Sequence, residues 1–466
     1  MVAERTEKDS LGSREVPAAA YYGIQTLRAV ENFPVSGLRS PRLLLRAYAE
    51  VKRACARANI DLGLLDPAIG AAIVAAAAEV ADGRFDGEFP VDVFQAGAGT
   101  SLNMNLNEVL ANRALEIQGL PRGDYARISP NDHVNRGQST NDTFPTAAQA
   151  ATLLALGEVR EAVGRLSRSF RAKAVEFART PKAGRTHLKD ALPVTLGGEF
   201  AAYAQVLDRL LEALPPVEAA LAELPLGGSA VGTGINTAPG FRARAVAYLA
   251  EGLGRPLRPA RDPFETMQSR WPLGAAAAWL RALAQELVRI ANDLRLLSSG
   301  PVTGFDEIRL PEIQPGSSIM PAKVNPSAAE CLDMVAFHVI GSDLAVSLAV
   351  QAGQLEINVM MPLMAFEILF SARLLSSYLP VFARSCVDGI TAHPAVLERN
   401  LLGSSALATV LTPKLGYLAV AELLHESERS GVPVRELLKQ RGLLAPEEIE
   451  RLFGADALLR LAEPVP

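Results

Sequence analysis

The sequence predicts a mainly all-α protein organised around long helices. Five tracts, residues 146–179, 198–214, 264–299, 327–354 and 358–387, repeat apolar side chains at helical spacing. Apolar residues make up 49% of the 466 positions, and many are alanine, which favours helix and lets helices approach closely. Strand-like alternation is scarce, and there is no convincing internal repeat or low-complexity linker. A tract of about 30 residues spans roughly 45 Å, longer than a usual globular helix. With apolar side chains on most faces, such tracts must be covered on several sides, which predicts a large bundle shared between subunits.

The opening stretch MVAERTEKDSLGSREVP is charged throughout and lacks the apolar core of a signal segment. No later stretch has the roughly 18 uninterrupted apolar residues of a spanning helix, so a soluble, cytoplasmic protein is expected. Helical spacing at 43–62 and at the Ala-rich 67–82 belongs to a first domain, residues 1–137. Residues 138–389 form the central long-helix domain. Within the tract that starts at Phe264, Pro272 and Gly274 predict a bend, because proline removes a helical donor. Residues 390–466 form a small C-terminal helical domain. It contains GVPVRELLKQRG and APEEIERLFG, each with proline near its start and glycine after its end.

Acidic residues number 51 against 46 basic ones, for a net charge of −5, so no basic field invites nucleic acid or an anionic membrane. Cys55, Cys331 and Cys386 are odd in number, far apart and without CxxC spacing. That argues against a disulfide framework or a zinc site and fits a reducing compartment.

Four polar segments interrupt this apolar plan. GAGTSLNMNLN at 97–107 carries Thr100, and read alone its Thr or Ser caps the following helix. SPNDHVNRGQSTNDTFPT at 129–146 carries Ser139, Thr140, Asn141 and Asp142, a denser polar set than one cap needs. GRTHLKD at 184–190 sets Thr186 beside His187 ahead of Pro193; a lone histidine is more often structural than catalytic. GSSIMPAKVNP at 316–326 sets Ser317, Ser318, Lys323 and Asn325 among Pro315, Pro321 and Pro326, which bar a continuous helix or central strand. It reads either as a surface turn or as a mobile functional loop able to close on a substrate. Glu330 follows at the start of a helix, where it complements the helix dipole or orients a histidine.

These residue types together suit the holding of a small dicarboxylate. Lys323 offers charge, hydroxyls and carboxamides offer directional donors, and no cluster has the carboxylate or imidazole spacing of a metal site. Proton abstraction beside a carboxylate builds negative charge that preorganised donors must stabilise. A loop hydroxyl serves as the base only if its pKa falls strongly, through Lys323, nearby amide hydrogens and exclusion of water.

GSSIMPAKVNP, QSTNDTFPT, GRTHLKD and GAGTSLNMN resemble the motifs of the aspartase/fumarase superfamily, in the family's order. The similarity extends from REVPAAAYYGIQTLRAVENF to TPKLGY. It implies three mostly helical domains, a 20-helix core built by four subunits, and active sites drawing on three of them. Carried over by motif position, Ser317 is the general base that takes the C3 proton of L-aspartate. Ser318, Thr100, Ser139 and Thr140 hold the β-carboxylate. Thr186, Lys323 and Asn325 hold the α-carboxylate with His187 close by, Asn141 helps place the amino group, and Glu330 matches the family glutamate near that histidine. The implied reaction is a reversible carbon–nitrogen lyase step, anti-elimination of ammonia to fumarate through a carbanion. No organic cofactor is implied, and any divalent metal is an activator at most.

Class II fumarase shares all four motifs and differs in its leaving group. AGQLEINVM at 352–360, taken as part of a helix, and YYGIQTLRAVENF resemble the aspartase branch, and Ser129 stands where fumarases usually carry histidine. Lys189, Gly198, the Arg136–Gly137 pair and Met361 depart from the aspartase pattern and leave room for another amino- or hydroxy-dicarboxylate. A catalytically silent helical scaffold is the alternative from a different class, and the intact Ser317, Lys323, Asn325, Thr186 and His187 speak against it.

Overall fold

The computed structural model describes residues 3–320 and 323–462. Pro321, one of the three prolines invoked for the loop, lies outside the described residues together with Ala322. The chain opens with an antiparallel hairpin of β1 (Glu4–Asp9) and β2 (Gly12–Pro17). Helices α1 (Ile24–Asn32), α2 (Arg42–Asp61), α3 (Pro67–Ala81), α4 (Thr100–Ile117) and the long α5 (Thr140–Glu176) follow. A second hairpin, β3 (Pro181–Thr186) and β4 (Lys189–Thr195), leads to α6 (Leu196–Glu212), α7 (Pro215–Leu221), α8 (Phe241–Leu253), α9 (Pro263–Gln268) and α10 (Trp271–Leu297). Then come α11 (Ser327–Gln351), α12 (Met361–Ser385), α13 (Pro394–Gly403), α14 (Thr412–Leu415), α15 (Tyr417–Ser430), α16 (Val434–Gln440), α17 (Pro446–Phe453) and α18 (Ala455–Ala462). Helix dominates as expected, and the strands are confined to short two-stranded pairings.

Several helix boundaries differ from the sequence expectation, and two of them bear on the central helices. The tract from Phe264 does not bend at WPLG but breaks two residues earlier, where Ser269 is extended (ψ 137°). Pro272 then lies in the first turn of α10, where its missing N–H costs nothing. AGQLEINVM is not helical either: it is the connection between α11 and α12. Asn358, buried within it, donates to the carbonyls of Ala349 and Val350, both at 2.9 Å, and accepts from the N–H of Met360 at 2.9 Å. One carboxamide thus satisfies the end of one helix and the start of the next.

The chain forms two compact units, Met1–Arg160 with Glu212–Ala284 and Phe337–Ser376, and Glu161–Leu211 with Gln285–Ala336 and Ser377–Pro466. In the first, α2 packs on α3 and α8, and α4 on α1 and α3. There Asp343 of α11 pairs with Arg281 of α10 at 2.8 Å, and Ser342 donates to Glu367 of α12 at 2.6 Å. In the second unit Arg295 of α10 pairs with Asp333 of α11 at 2.8 Å, and the Tyr378 hydroxyl of α12 donates to the Ala328 carbonyl at 2.8 Å. A C-terminal core there gathers Leu401, Leu411, Leu423, Leu438 and Phe453. Residues 327–351 and 361–389 are each long and apolar enough, on average, to cross a membrane. The lateral ties of Asp333, Asp343 and Glu367 are those of helices packed against protein.

Candidate active site

Thr100, Ser139, Thr140 and Asn141 lie in the first unit; Thr186, His187, Ser317, Ser318, Lys323, Asn325 and Glu330 lie in the second.

In the first unit, neither Thr100 nor Ser101 caps α4. Gly99 occupies the cap position at φ 81° without a side-chain bond, and the Thr100 hydroxyl turns back to the Gly97 carbonyl at 3.2 Å. A β-carbon on Gly99 would meet the Phe144 ring of α5 at 2.1 Å, so only glycine lets the two helix starts come this close. Buried Tyr48 joins them, its hydroxyl 2.7 Å from Asn103 of α4 and 3.0 Å from Thr143 of α5.

Ser139 does cap α5. Its hydroxyl accepts the Asn141 N–H at 3.2 Å, while Asp142 accepts the Ser139 N–H at 3.0 Å, a reciprocal box. Asp142 also accepts from the N–H groups of Gly227 and Ser229 at 2.9 and 3.0 Å. The Asn141 amide donates to the Ala230 carbonyl at 2.9 Å. Ser139, Thr140 and Asn141 are therefore half-exposed residues on a rigidly anchored helix start. Thr100 also lines a cavity of about 580 Å³ with Ser129, Asn131, Glu108, Tyr125 and Arg28.

Beneath this start lies a group that sequence reasoning did not single out. Lys52 is fully buried and donates to Asn135 and Gln138 at 2.9 and 3.0 Å. Burial lowers its pKa to about 7, opposed only by neighbouring Cys55 and Asp142. Burial likewise raises Asp142 to about 6, against the three backbone N–H groups that favour its charge. Folded Lys52 releases its proton near pH 7, whereas its ordinary value is 10.5, so the unfolded chain binds more protons between those values. The Lys52 contribution to stability should therefore rise with pH by up to roughly 1.4 kcal/mol per pH unit, and above about pH 9 it is opposed by Cys55 and Cys386, whose thiols burial pushes up. Urea unfolding at about pH 7 and about pH 8.5 checks this: Lys52→Met should lose the rise, and a variant with the wild-type slope rejects Lys52 as its source.

In the second unit, β3 and β4 carry Thr186 and His187 to an exposed tip. Thr186 pairs with Lys189, and the loop between them is His187–Leu188, with φ of 54° and 57°. Two consecutive non-glycine residues at positive φ are uncommon and mark a turn held by its surroundings. Those surroundings include Glu307, which is fully buried. It accepts from both terminal nitrogens of Arg185 at 3.0 and 2.6 Å, from Lys182 at 3.0 Å and from Asn400 at 3.1 Å. Burial pushes the Glu307 carboxyl up, but Arg185 and Lys182 more than offset this and hold it below its ordinary value. Helix α13 packs on β3, and α18 on β4.

Residues 314–320 have no helix or strand, as the loop expectation required. The Ser317 hydroxyl accepts the N–H groups of Ile319 and Met320 at 3.3 and 2.9 Å. The Asn325 amide donates to the Gly316 carbonyl, and a β-carbon on Gly316 would strike the Lys323 carbonyl at 1.8 Å, so the loop closes tightly on itself. Lys323 is exposed and has no ion-pair partner among the described residues, and Ser318 is exposed beside Ser317. Lys323 and Asn325 line a cavity of about 940 Å³ with Arg295, Arg309 and Glu312. Glu330 lies in the first turn of α11, half-exposed. Of the departures from the aspartase pattern, Lys189 and Arg136 are exposed, Gly198 donates its N–H to the Thr195 hydroxyl at 2.9 Å, and Met361 is fully buried.

Residues 12–341 match the family described as Lyase, and residues 407–460 match Fumarase C C-terminus. An aspartate ammonia-lyase of Pseudomonas canavaninivorans is 47% identical over 459 residues, 98% of this chain and 97% of its own. A class II fumarate hydratase of Nitrosomonas europaea is 44% identical over 447 residues, 96% of this chain and 97% of its own. A fumarate lyase:delta crystallin of Brucella melitensis shares the fold with a TM-score of 0.95 at 46% identity, over 99% of this chain and 100% of that one. The protein is thus a lyase, and its chain belongs to the aspartase/fumarase superfamily.

Proposed function

We propose that the protein is an aspartate ammonia-lyase that removes ammonia from L-aspartate to give fumarate, with Ser317 as the base. The carrying observation is the Ser317 hydroxyl receiving two backbone N–H groups within a closed loop that also presents Lys323, which has no ion pair among the described residues. Donors aimed at an oxygen stabilise its anion and so lower its pKa, as a serine base requires. The positioned Ser139 and Thr140, with Thr100, supply hydroxyl donors for the carboxylate on which charge develops, and the Thr186 hydroxyl, the Lys323 ammonium and the Asn325 carboxamide serve the other carboxylate. Asn141 borders the amino group, and His187, Ser318 and Glu330 complete the set. Lys323→Ala should raise KM for L-aspartate by about tenfold or more through loss of a charge-assisted contact; an unchanged KM removes Lys323 from that role.

The active form in this proposal is a cytoplasmic homotetramer whose chains divide into domains 1–137, 138–389 and 390–466, with each site built from three chains. On α11, Met334, Phe337, Leu344 and Leu348 are all more than half exposed. Their spacings of three, seven and four residues keep them on one helical stripe, that of a seam between packed helices, which supports burial against other copies. Free Cys55, Cys331 and Cys386 suit a reducing location.

The near-equal identity of a class II fumarate hydratase gives the second candidate activity. Against it stands Ser129, whose hydroxyl is engaged with the N–H groups of Asn131 and Asp132 at 3.2 and 3.0 Å. A hydratase must protonate a poorer leaving group than an ammonium and leans harder on a general acid. Ultraviolet absorbance of fumarate discriminates: formation from L-aspartate supports the ammonia-lyase, formation from L-malate alone supports the hydratase, and formation from neither rejects both.

A further inference from the structure

A cavity of about 820 Å³ lies in the first unit, between the start of α2, the end of α3, the middle of α5 and the middle of α12. None of the candidate catalytic residues lines it. Its charge is one-sided: Arg39, Arg42, Arg46 and Arg373 face Glu158 as the sole acid. Arg42 is pinned through Nε to Asp86 at 2.9 Å and through Nη2 to the Ala81 carbonyl, and its Nη1 is shielded from water and has no acceptor among the described residues. The guanidinium groups of Arg39, Arg46 and Arg373 form no ion pair among the described residues. Elsewhere on this chain arginines commonly stand beside a carboxylate, as Arg113 does with Glu79 at 2.6 Å.

The rest of the wall is apolar. Phe366 and Phe370 lie parallel, with centroids 5.6 Å apart and planes at 9°, next to buried Leu369. Guanidinium forks match phosphate oxygens two at a time, and flat aromatic surfaces accept a flat ring. An apolar pocket of this size with a few convergent polar groups is the usual form of a small-molecule site. We propose that this cavity binds a nucleoside phosphate, its base against Phe366 and Phe370, its phosphates among the arginines and its sugar hydroxyls within reach of Glu158.

Calorimetric titration of the native assembly, with saturating succinate present to occupy dicarboxylate sites, tests the proposal. ADP should bind saturably, with inorganic pyrophosphate at least about tenfold weaker and adenosine weaker still. Arg46→Glu and Arg373→Glu, both at exposed positions, should each weaken ADP at least about tenfold, and Phe370→Ala should weaken ADP while leaving pyrophosphate unchanged. The proposal is overturned by absence of saturable ADP binding, as when another copy of the chain fills the cavity. It is equally overturned by wild-type ADP affinity in both charge reversals, or by pyrophosphate binding as tightly as ADP.

Discussion

Ser317→Ala is expected to lower kcat for L-aspartate by roughly 10²- to 10⁴-fold, the usual contribution of a positioned base. The hydroxyl is the only group that alanine removes, and the site is a half-exposed loop, so folding should be spared. The Ile319 and Met320 N–H groups that it satisfies lie in exposed backbone and can turn to water. The expected signature is therefore a collapse of turnover with an unchanged thermal transition and unchanged assembly. Initial rates of fumarate formation measure it, and activity within about tenfold of wild type would remove Ser317 from the chemistry.

Glu307→Ala should act through architecture. Removing the carboxylate strands Lys182 and Arg185, of which Lys182 is almost wholly buried, although Lys182 retains Glu199 at 2.8 Å. Breaking a buried pair from one side costs about 3–5 kcal/mol, because the remaining charge stays desolvated and unpaired. Arg185 adjoins Thr186, so the hairpin tip should also lose its set and KM for the substrate should rise. Denaturant unfolding and steady-state kinetics on the same preparation check both effects. A stability loss under about 1 kcal/mol would mean that water reaches the site and screens the stranded cations.

The helices were legible because apolar period survives over many turns, as in α2 and α3, whose ends lie within a residue or two of those expected. Boundaries were less so. Helix α5 starts at Thr140 and not at 146, because the Ser139–Asp142 box makes a start there strong enough to carry Pro145 inside the helix. The β3–β4 hairpin is hard to read because its turn is His187–Leu188 and not a glycine or asparagine pair, and because Pro193 marks a break within what is β4. The break between α11 and α12 is legible as the gap between the tracts 327–354 and 358–387, and it is wider than that gap because the buried Asn358 carboxamide satisfies the end of α11 and the start of α12. Of the candidate site, the loop at 314–320 was readable from glycine and proline alone. Lys52 and Glu307 were not, because their partners stand 83 and 122 residues away.

The bare row of Met334, Phe337, Leu344 and Leu348 sets a condition on how the chain matures. A protomer that has finished its own folding still shows water a greasy ladder, and a ladder of that kind adheres to whatever meets it first. Recovery from denaturant should consequently hinge on encounter between chains: too dilute and the ladder stays wet, too crowded with half-folded neighbours and it seeds precipitate.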